Sequence, residues 1–389
     1  MILVEDQYVF KFSITRSDGV VFKDFIKEPD LKAFTLIEEA GNTLPTFELA
    51  FKTEDASIIP YLNEGNVLDI TFGRSLKDEN LVDAKFSILR LNYNKFGESQ
   101  YSIYVSGLYA AIKYLSEDVI AQYPSISGVA AIKQVVDTYM TTDFNVTTSS
   151  DSQTWLRPNI SAKAFVNQTW MHSYIKDSFI AIGIDSSGTM ILRDMNLSVK
   201  PYAEVPQYNF TTDPDPTKIT DVLYDGDYVV ESNTGFMNYW MGYGREKRVY
   251  DFETGVDSDV LETPSILLTN SAEFTRTSDI VKKTSEAGFT NTNVHANYWK
   301  AYHQNLQSLA LFSSHKISFS FQNLYVPVKV LDVVGFSDIE INAKTLEQAG
   351  SSAGKYFVSK VSRTLSNRQF VTTVQLCRET INEVKGDLR

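Results

Sequence analysis

The sequence has one cysteine in 389 residues, Cys377, so no disulfide can form within the chain. That fits folding in a reducing compartment. Cys377 sits in an alternating run and reads as a small half-buried residue rather than a nucleophile. Excess positive charge is also missing, with 36 Lys and Arg against 48 Asp and Glu and a formal net charge of −12. A general nucleic-acid binder needs a basic face, and the only dense basic patch, "REKR" at Arg245 to Arg248, reads as a solvated loop. No apolar run approaches a membrane span, the densest being "FIAIGI" at Phe179 to Ile184. The opening "MILVEDQYVF" has no basic region and carries an acidic pair, so it does not read as a secretory signal.

Catalytic signatures are missing as well. His172, His295, His303 and His315 form no HExxH and no close His/Cys pair, which leaves no legible metal site and no cofactor site. There is no GxSxG, no GxxxxGK[ST] and no GxGxxG in a βαβ setting. Two acidic clusters stand out: Asp225, Asp227 and Glu231, then Asp251, Glu253, Asp257 and Asp259. Clustered acids can bind Ca²⁺ or form a glycosidase pair. Neither cluster has the order of an EF-hand, and both read as solvated loops.

What is present is globular: 43% apolar and 13% aromatic residues, in a chain too long for one ordinary core. About two to four units are expected. Residues 1–110 read as β. "YVFKFSITR", "TFELAFKT" and "NVLDITFG" alternate as half-buried antiparallel strands do. "SGVAAIKQVVDTYM" carries Val129, Ile132, Val135, Val136, Tyr139 and Met140 at helical spacing, with Ser127 as cap. "TWMHSYIKDSFIAIG" predicts a second helix, from a Thr169 cap to Gly183, followed by a hairpin turning at "DSSG". Residues 111–205 thus form an α/β unit set into a β chain. "ITDVLYD" and "DYVVES" are strand-like, "NYWMGYG" is dense in aromatics, and 244–309 reads as a loop-rich insertion. That insertion ends in a helix capped by Asn293, with Tyr298, Tyr302, Leu306 and Leu309 on one stripe. "KISFSFQN" and "VPVKVLDVVGF" return the chain to β.

Two hairpins look alike. With Lys85 set on Lys355, Phe86 meets Tyr356, Ile88 meets Val358, Arg90 meets Lys360 and Leu91 meets Val361. Dropping one turn residue sets Tyr101 on Phe370 and Val105 on Val374. Matching apolar positions at period two mean matching buried faces. The tripeptide Val67-Leu68-Asp69 precedes one hairpin and Val330-Leu331-Asp332 the other, which suggests a duplicated module.

The order of these parts resembles the baseplate hub protein of contractile-tailed bacteriophages, a relative of the late control protein D family and of type VI secretion spike proteins. Three segments carry the resemblance: "TWMHSYIKDSFIAIGIDSSGTMILRDM", "NYWKAYHQNLQSLALFSSHKISFSF", and "VPVKVLDVVGFSD" through "AGKYFVSKVSRTLSNRQFVTTVQLCRE". Arg363 stands where the family often has His, at what reads as a surface hairpin position.

The resemblance implies an α+β, mainly β chain with two tube-like antiparallel β-barrel domains. These would be residues 1–110, and 206–243 with 310–380; 381–389 would be a tail. It implies a homotrimeric virion protein, made in the host cytoplasm, that joins a hexameric tail tube protein to a trimeric central spike protein. Tape measure and other baseplate proteins would be further contacts. DNA would pass its channel without specific binding, and no stable membrane insertion is expected. The hairpin tips Asn94, Lys95, Phe96, Gly97, Glu98 and Leu365, Ser366, Asn367, Arg368 would reach neighbours. Phe86, Ile88, Leu91 and Tyr356, Val358, Val361 would build the ring wall, and Tyr239, Trp240 and Tyr243 would sit between subunits. A non-enzymatic role is expected. The alternatives are a tail-associated cell-wall or polysaccharide hydrolase built on the acidic loops, and the tip hub of a non-contractile tail. The latter often carries a C-terminal extension, which a chain ending at "INEVKGDLR" is read as lacking.

Overall fold

The computed structural model describes residues 9–23, 25–26, 30–73, 82–147, 150–200, 206–215, 217–218, 220–232, 244–262, 268, 281–283, 288–291, 293–312, 314–322, 327–337, 339–340, 348–349, 352–366 and 369–379. The protein is mainly β with a minority of helix. Its first seven strands are β1 (Val9–Thr15), β2 (Val21–Lys23), β3 (Leu31–Glu39), β4 (Thr46–Thr53), β5 (Val67–Gly73), β6 (Val82–Phe96) and β7 (Gln100–Tyr109). They lie side by side in the order β2-β1-β5-β6-β7-β4-β3. Alternation drives this: Phe47, Leu49 and Phe51 of β4 bury on one face against Phe34, Leu36, Phe86 and Val105.

Next come α1 (Ile112–Ser116), β8 (Val119–Ile126), α2 (Gly128–Val136), β9 (Thr141–Phe144), β10 (Gln153–Ile160), α3 (Ala162–His172), β11 (Ile180–Ile184), β12 (Thr189–Asp194) and α4 (Met195–Val199). Ser127 caps α2 by accepting from the Ala130 amide at 3.2 Å, and Ser161 caps α3 from Ala164 at 3.3 Å. The expected helix from Thr169 to Gly183 is corrected. α3 ends at His172, and Ile180–Ile184 is a strand buried on both faces, paired with β12. A short run rich in isoleucine fits a doubly buried strand, and helical spacing through it is coincidental.

The remainder holds β13 (Asn209–Thr211), β14 (Asp221–Leu223), β15 (Tyr228–Ser232), β16 (Gly244–Asp251), β17 (Asp257–Glu262), β18 (Val281–Lys283), β19 (Gly288–Thr290), α5 (Tyr298–Phe312), β20 (His315–Phe321), β21 (Val333–Phe336), β22 (Ile339–Glu340), β23 (Gln348–Ala349), β24 (Gly354–Ser366) and β25 (Gln369–Arg378). The stretch expected to be loop-rich contains a small sheet, β17-β16 with β18 and β19. "REKR" lies in β16 rather than in a loop. Lys247 is buried with its ammonium 3.9 Å from the Trp299 ring centre, and Arg248 faces Asp259. α5 begins at Tyr298, so Asn293 is too far upstream to cap it.

The two similar hairpins are repeated in detail. β3-β4-β5-β6-β7 and β15-β20-β21-β24-β25 follow the same chain order and the same antiparallel pairing: β5 on β6, β6 on β7, β7 on β4, β4 on β3, and likewise β21 on β24, β24 on β25, β25 on β20, β20 on β15. A register shift falls between Ile88 and Arg90 and again between Val358 and Lys360, at aligned positions. Leu91 opposes Val105 as Val361 opposes Val374.

The turn entering the inner strand is also repeated. The Asn66 amide bonds the Asn63 carbonyl, and Asp332 bonds Lys329, both at 3.3 Å. Ile88 bonds Asn66 at 2.9 Å and Val358 bonds Asp332 at 3.0 Å. Gly65 has φ +87° and Leu331 has φ +70° at the same place. This corrects the tripeptide match: Asn66 corresponds to Asp332 and Leu68 to Val334, so the two Val-Leu-Asp triplets are three residues out of step.

The modules join through one strand pair. β24 pairs with β21 over Gly354–Phe357, then with β3 from Lys360↔Glu39 to Ser366↔Ala33. Leu365 and Phe370 therefore sit in the core of the first module. The α/β unit touches the same seam. Gly183 of β11 bridges Ala40, and a Cβ on Gly183 would stand 2.8 Å from Val330 Cγ2 and 3.6 Å from Leu331 Cδ1. Gly183→Val therefore overpacks a closed contact, with an expected loss of about 1–3 kcal/mol in urea denaturation. An unchanged midpoint would show that the two units do not press together there.

Candidate assembly surfaces

Three parts of the chain meet at one buried ion pair. Glu38 of β3 lies 3.2 Å from Arg363 of β24, with side chains 2% and 10% exposed. The Glu38 carboxylate also accepts from the Ser186 amide at 2.8 Å, and Arg363 donates to the Val328 carbonyl at 2.6 Å. Lys329 bonds Asp185 at 2.9 Å alongside. Arg363 is thus a buried junction residue, which corrects its reading as a surface position. A charge left alone in such a place is costly. Glu38→Gln or Arg363→Met is expected to cost about 3–5 kcal/mol in chemical denaturation, and Glu38→Leu with Arg363→Met to recover most of it. A loss in the double variant equal to the sum of the single losses would show that the pair does not act as one.

The α/β unit is clamped from the other side by α5. Asn305 accepts from the Ile180 amide at 3.0 Å and donates to the carbonyls of Trp170, Met171 and Ser173, closing the end of α3. His172 stacks on Tyr298 with ring centres 3.6 Å apart, and its Nδ1 donates to the Tyr298 carbonyl at 3.1 Å. Burial pushes His172 down to about 4, and burial with the Arg378 charge does the same to His315.

Both histidines are neutral in the fold, while the unfolded chain protonates them near 6.5. Their contribution is whole above about pH 6.5 and is lost as pH falls toward 4, at about 1.4 kcal/mol per unit for each. Stability measured by urea between pH 7 and pH 4.5 should fall, and His172→Phe should flatten the slope. An unchanged slope in the variant would show that His172 is not held neutral.

The expected interface residues separate into groups. Phe86, Ile88, Tyr356, Val358 and Val361 are buried in the chain's own cores, so their side chains are not surface. Leu91 packs partly against the first core. Leu365 and Ser366 pair with β3 of the same chain rather than standing free. Asn94, Lys95, Phe96, Gly97 and Glu98 are exposed. Asn367, Arg368, Tyr239, Trp240 and Tyr243 lie outside the described residues.

Sequence reasoning missed two exposed strand edges. Beyond Ile88, β6 continues to Phe96, paired on one side only, with β7, among the described residues. Tyr93 is 52% and Phe96 56% exposed. β15 is likewise paired only with β20, and its Val229 is 64% exposed. The adjacent valines in "DYVVES" were the available signal, since a strand with one solvent face would alternate.

The acidic clusters are solvent-facing. Asp225, Asp227 and Glu231 are exposed at β15, and Asp251 accepts from the Glu253 and Thr254 amides to shape its own turn. Among the described residues no three His, Cys, Asp or Glu side chains gather as metal ligands, and no helix is long and apolar enough to cross a membrane. A cavity of about 430 Å³ beside the seam is lined by Trp170, Ile182, Leu331 and Cys377. Its one described carboxylate, Glu39, is held 2.5 Å from Lys360.

No family model matches the sequence, and no curated protein matches it. Solved structures do. A tail protein from Neisseria meningitidis MC58 aligns at 8% identity and TM-score 0.57 over 95% of this chain and 97% of that one. The 43 kDa tail protein of prophage MuSo2 from Shewanella oneidensis gives 8% and 0.55 over 95% and 97%. Prophage tail protein gp18 from Listeria monocytogenes EGD-e gives 8% and 0.51 over 97% and 95%. Over the aligned residues the chain has the fold of phage tail proteins, as its resemblance to the hub family implied.

Proposed function

We propose that this protein is a structural, non-enzymatic part of a phage-type tail: a homotrimeric hub ring between a hexameric tail tube and a trimeric central spike, lining the DNA channel. The observation that carries this reading is the module repeated in register inside one chain with a tail-protein fold. Three chains with two similar modules present six similar surfaces, which lets a three-fold object seat on a six-fold one. Fourteen of the described strands, those of both modules with β1, β2, β13 and β14, belong to one sheet, which would be a third of the ring wall, and the two modules would be its two tube-like barrel domains. The proposed division keeps the first module at 1–110, the α/β unit at 111–205, and the second module at 206–243 with 310–380 around the 244–309 insertion. The net charge of −12 suits a channel that must not hold phosphates. The proposed location is the virion tail, and no observation favours a hydrolase.

Light scattering is expected to give a trimer mass, and end-on electron-microscope averages six similar lobes around an open centre. A chain that stays monomeric, alone and with a spike protein added, would overturn the reading.

A further inference from the structure

The seam inside the chain is a template for a seam between chains. β3 of the first module pairs with the outer half of β24 in the second. The repeat assigns each partner a counterpart. β24 corresponds to β6, so Lys360, Arg363 and Ser366 map to Arg90, Tyr93 and Phe96. β3 corresponds to β15: Val105 matches Val374, so Leu49 matches Phe319, and their partners Phe34 and Tyr228 match in turn. Among the described residues, both counterpart edges lack a second partner strand, as do the end strands β2 and β14. They do not pair within the chain.

We infer that β15 of one copy pairs antiparallel with the outer half of β6 of the next copy, with Asn94 opposite Val229 and Tyr93 opposite Val230. The inference rests on the ring reading above and names the strands that would close the ring.

Side-chain chemistry agrees with this register. One face sets Leu91, Tyr93 and the Lys95 stem against Ser232, Val230 and Tyr228. That covers exposed Tyr93 and Val230 with an aromatic and β-branched pair. The other face sets Arg90, Asn92, Asn94 and Phe96 against Glu231, Val229 and Asp227, with Arg90 diagonal to Glu231. The β6 edge contributes Arg90 and Lys95, while Asp225, Asp227 and Glu231 surround β15. The internal seam carries the same charge order, with Lys360 2.5 Å from Glu39. Exposed, flat, apolar strand edges template pairing with another chain. The two edges differ, so the contact is head-to-tail, the kind that generates rings.

The test is a chain carrying Asn94→Cys and Val229→Cys. Cys377 is half-buried, and the single variants, which keep it, register any link it forms. Mild oxidation should link copies into a covalent ladder ending at the closed species. Neither single variant should link, nor should Tyr93→Cys with Val229→Cys, whose side chains face opposite ways. Tyr93→Glu, opposite Val230, should raise the concentration for half-assembly by about tenfold or more and leave the monomer's melting unchanged.

A trimer by light scattering that fails to cross-link would overturn the strand pairing and leave the ring reading standing. Efficient linking in the Tyr93/Val229 pair would overturn the register. A cross-linked open chain or a ring of another size would uphold the pairing and sink the trimer. A monomer with no link at any concentration would sink both.

Discussion

The pairing of β3 with β24 is the constraint on which the arrangement of parts depends. It joins two modules that could each have ended in an open edge, and it draws the tip of the second hairpin into the first module's core. Side chains in a sheet alternate, so a slip of one residue would turn Phe34 and Leu36 outward and Leu365 away from its neighbours. Glu38 and Arg363 make such a slip costlier still, because only one register lets the two charges meet. Such a buried pair adds little net stability but penalises alternatives. The Ser186 amide on the same carboxylate extends that selection to the α/β unit.

Much of the β framework was legible in the residues. β4, β5, both long hairpins and the Ser127 cap follow from alternation and capping chemistry, and the aligned hairpin positions correspond residue by residue in three dimensions. β3 was not legible. Its inward row runs Phe34, Leu36, Glu38, and a carboxylate in that row disguises a buried strand as a polar boundary. Arg363 misled in the same way from the other side of the pair. Local pattern cannot reveal that two charges some 325 residues apart neutralise each other, because neither segment holds the reason for its own burial. The helix expected from Thr169 to Gly183 failed for a different cause. An unbroken apolar run satisfies several periodicities at once, and tertiary burial chose the strand.

The likeness to tail proteins of Neisseria, Shewanella and Listeria at 8% identity is a likeness of fold without one of sequence. Within this chain the same lesson appears between the modules. Their hydrogen-bond pattern, bulge and turn coincide where few residues do. Geometry of this kind is held by backbone bonds, which many side chains can support. The histidine and tyrosine stack beneath α5 is a local solution for fastening one unit to another.

Leu331 shows how such parts become mutually dependent. Its counterpart Gly65 adopts the left-handed turn without penalty, whereas a leucine there is held against its own preference. What the second module gains is a side chain reaching the surface of β11, opposite the bare backbone of Gly183. Each residue is tolerable only in the other's company: without the α/β unit the leucine would keep its strain and lose its contact, and with a larger residue at 183 the turn would lose its room. The turn has thus become entrenched, and the two copies of the module can no longer be exchanged for one another.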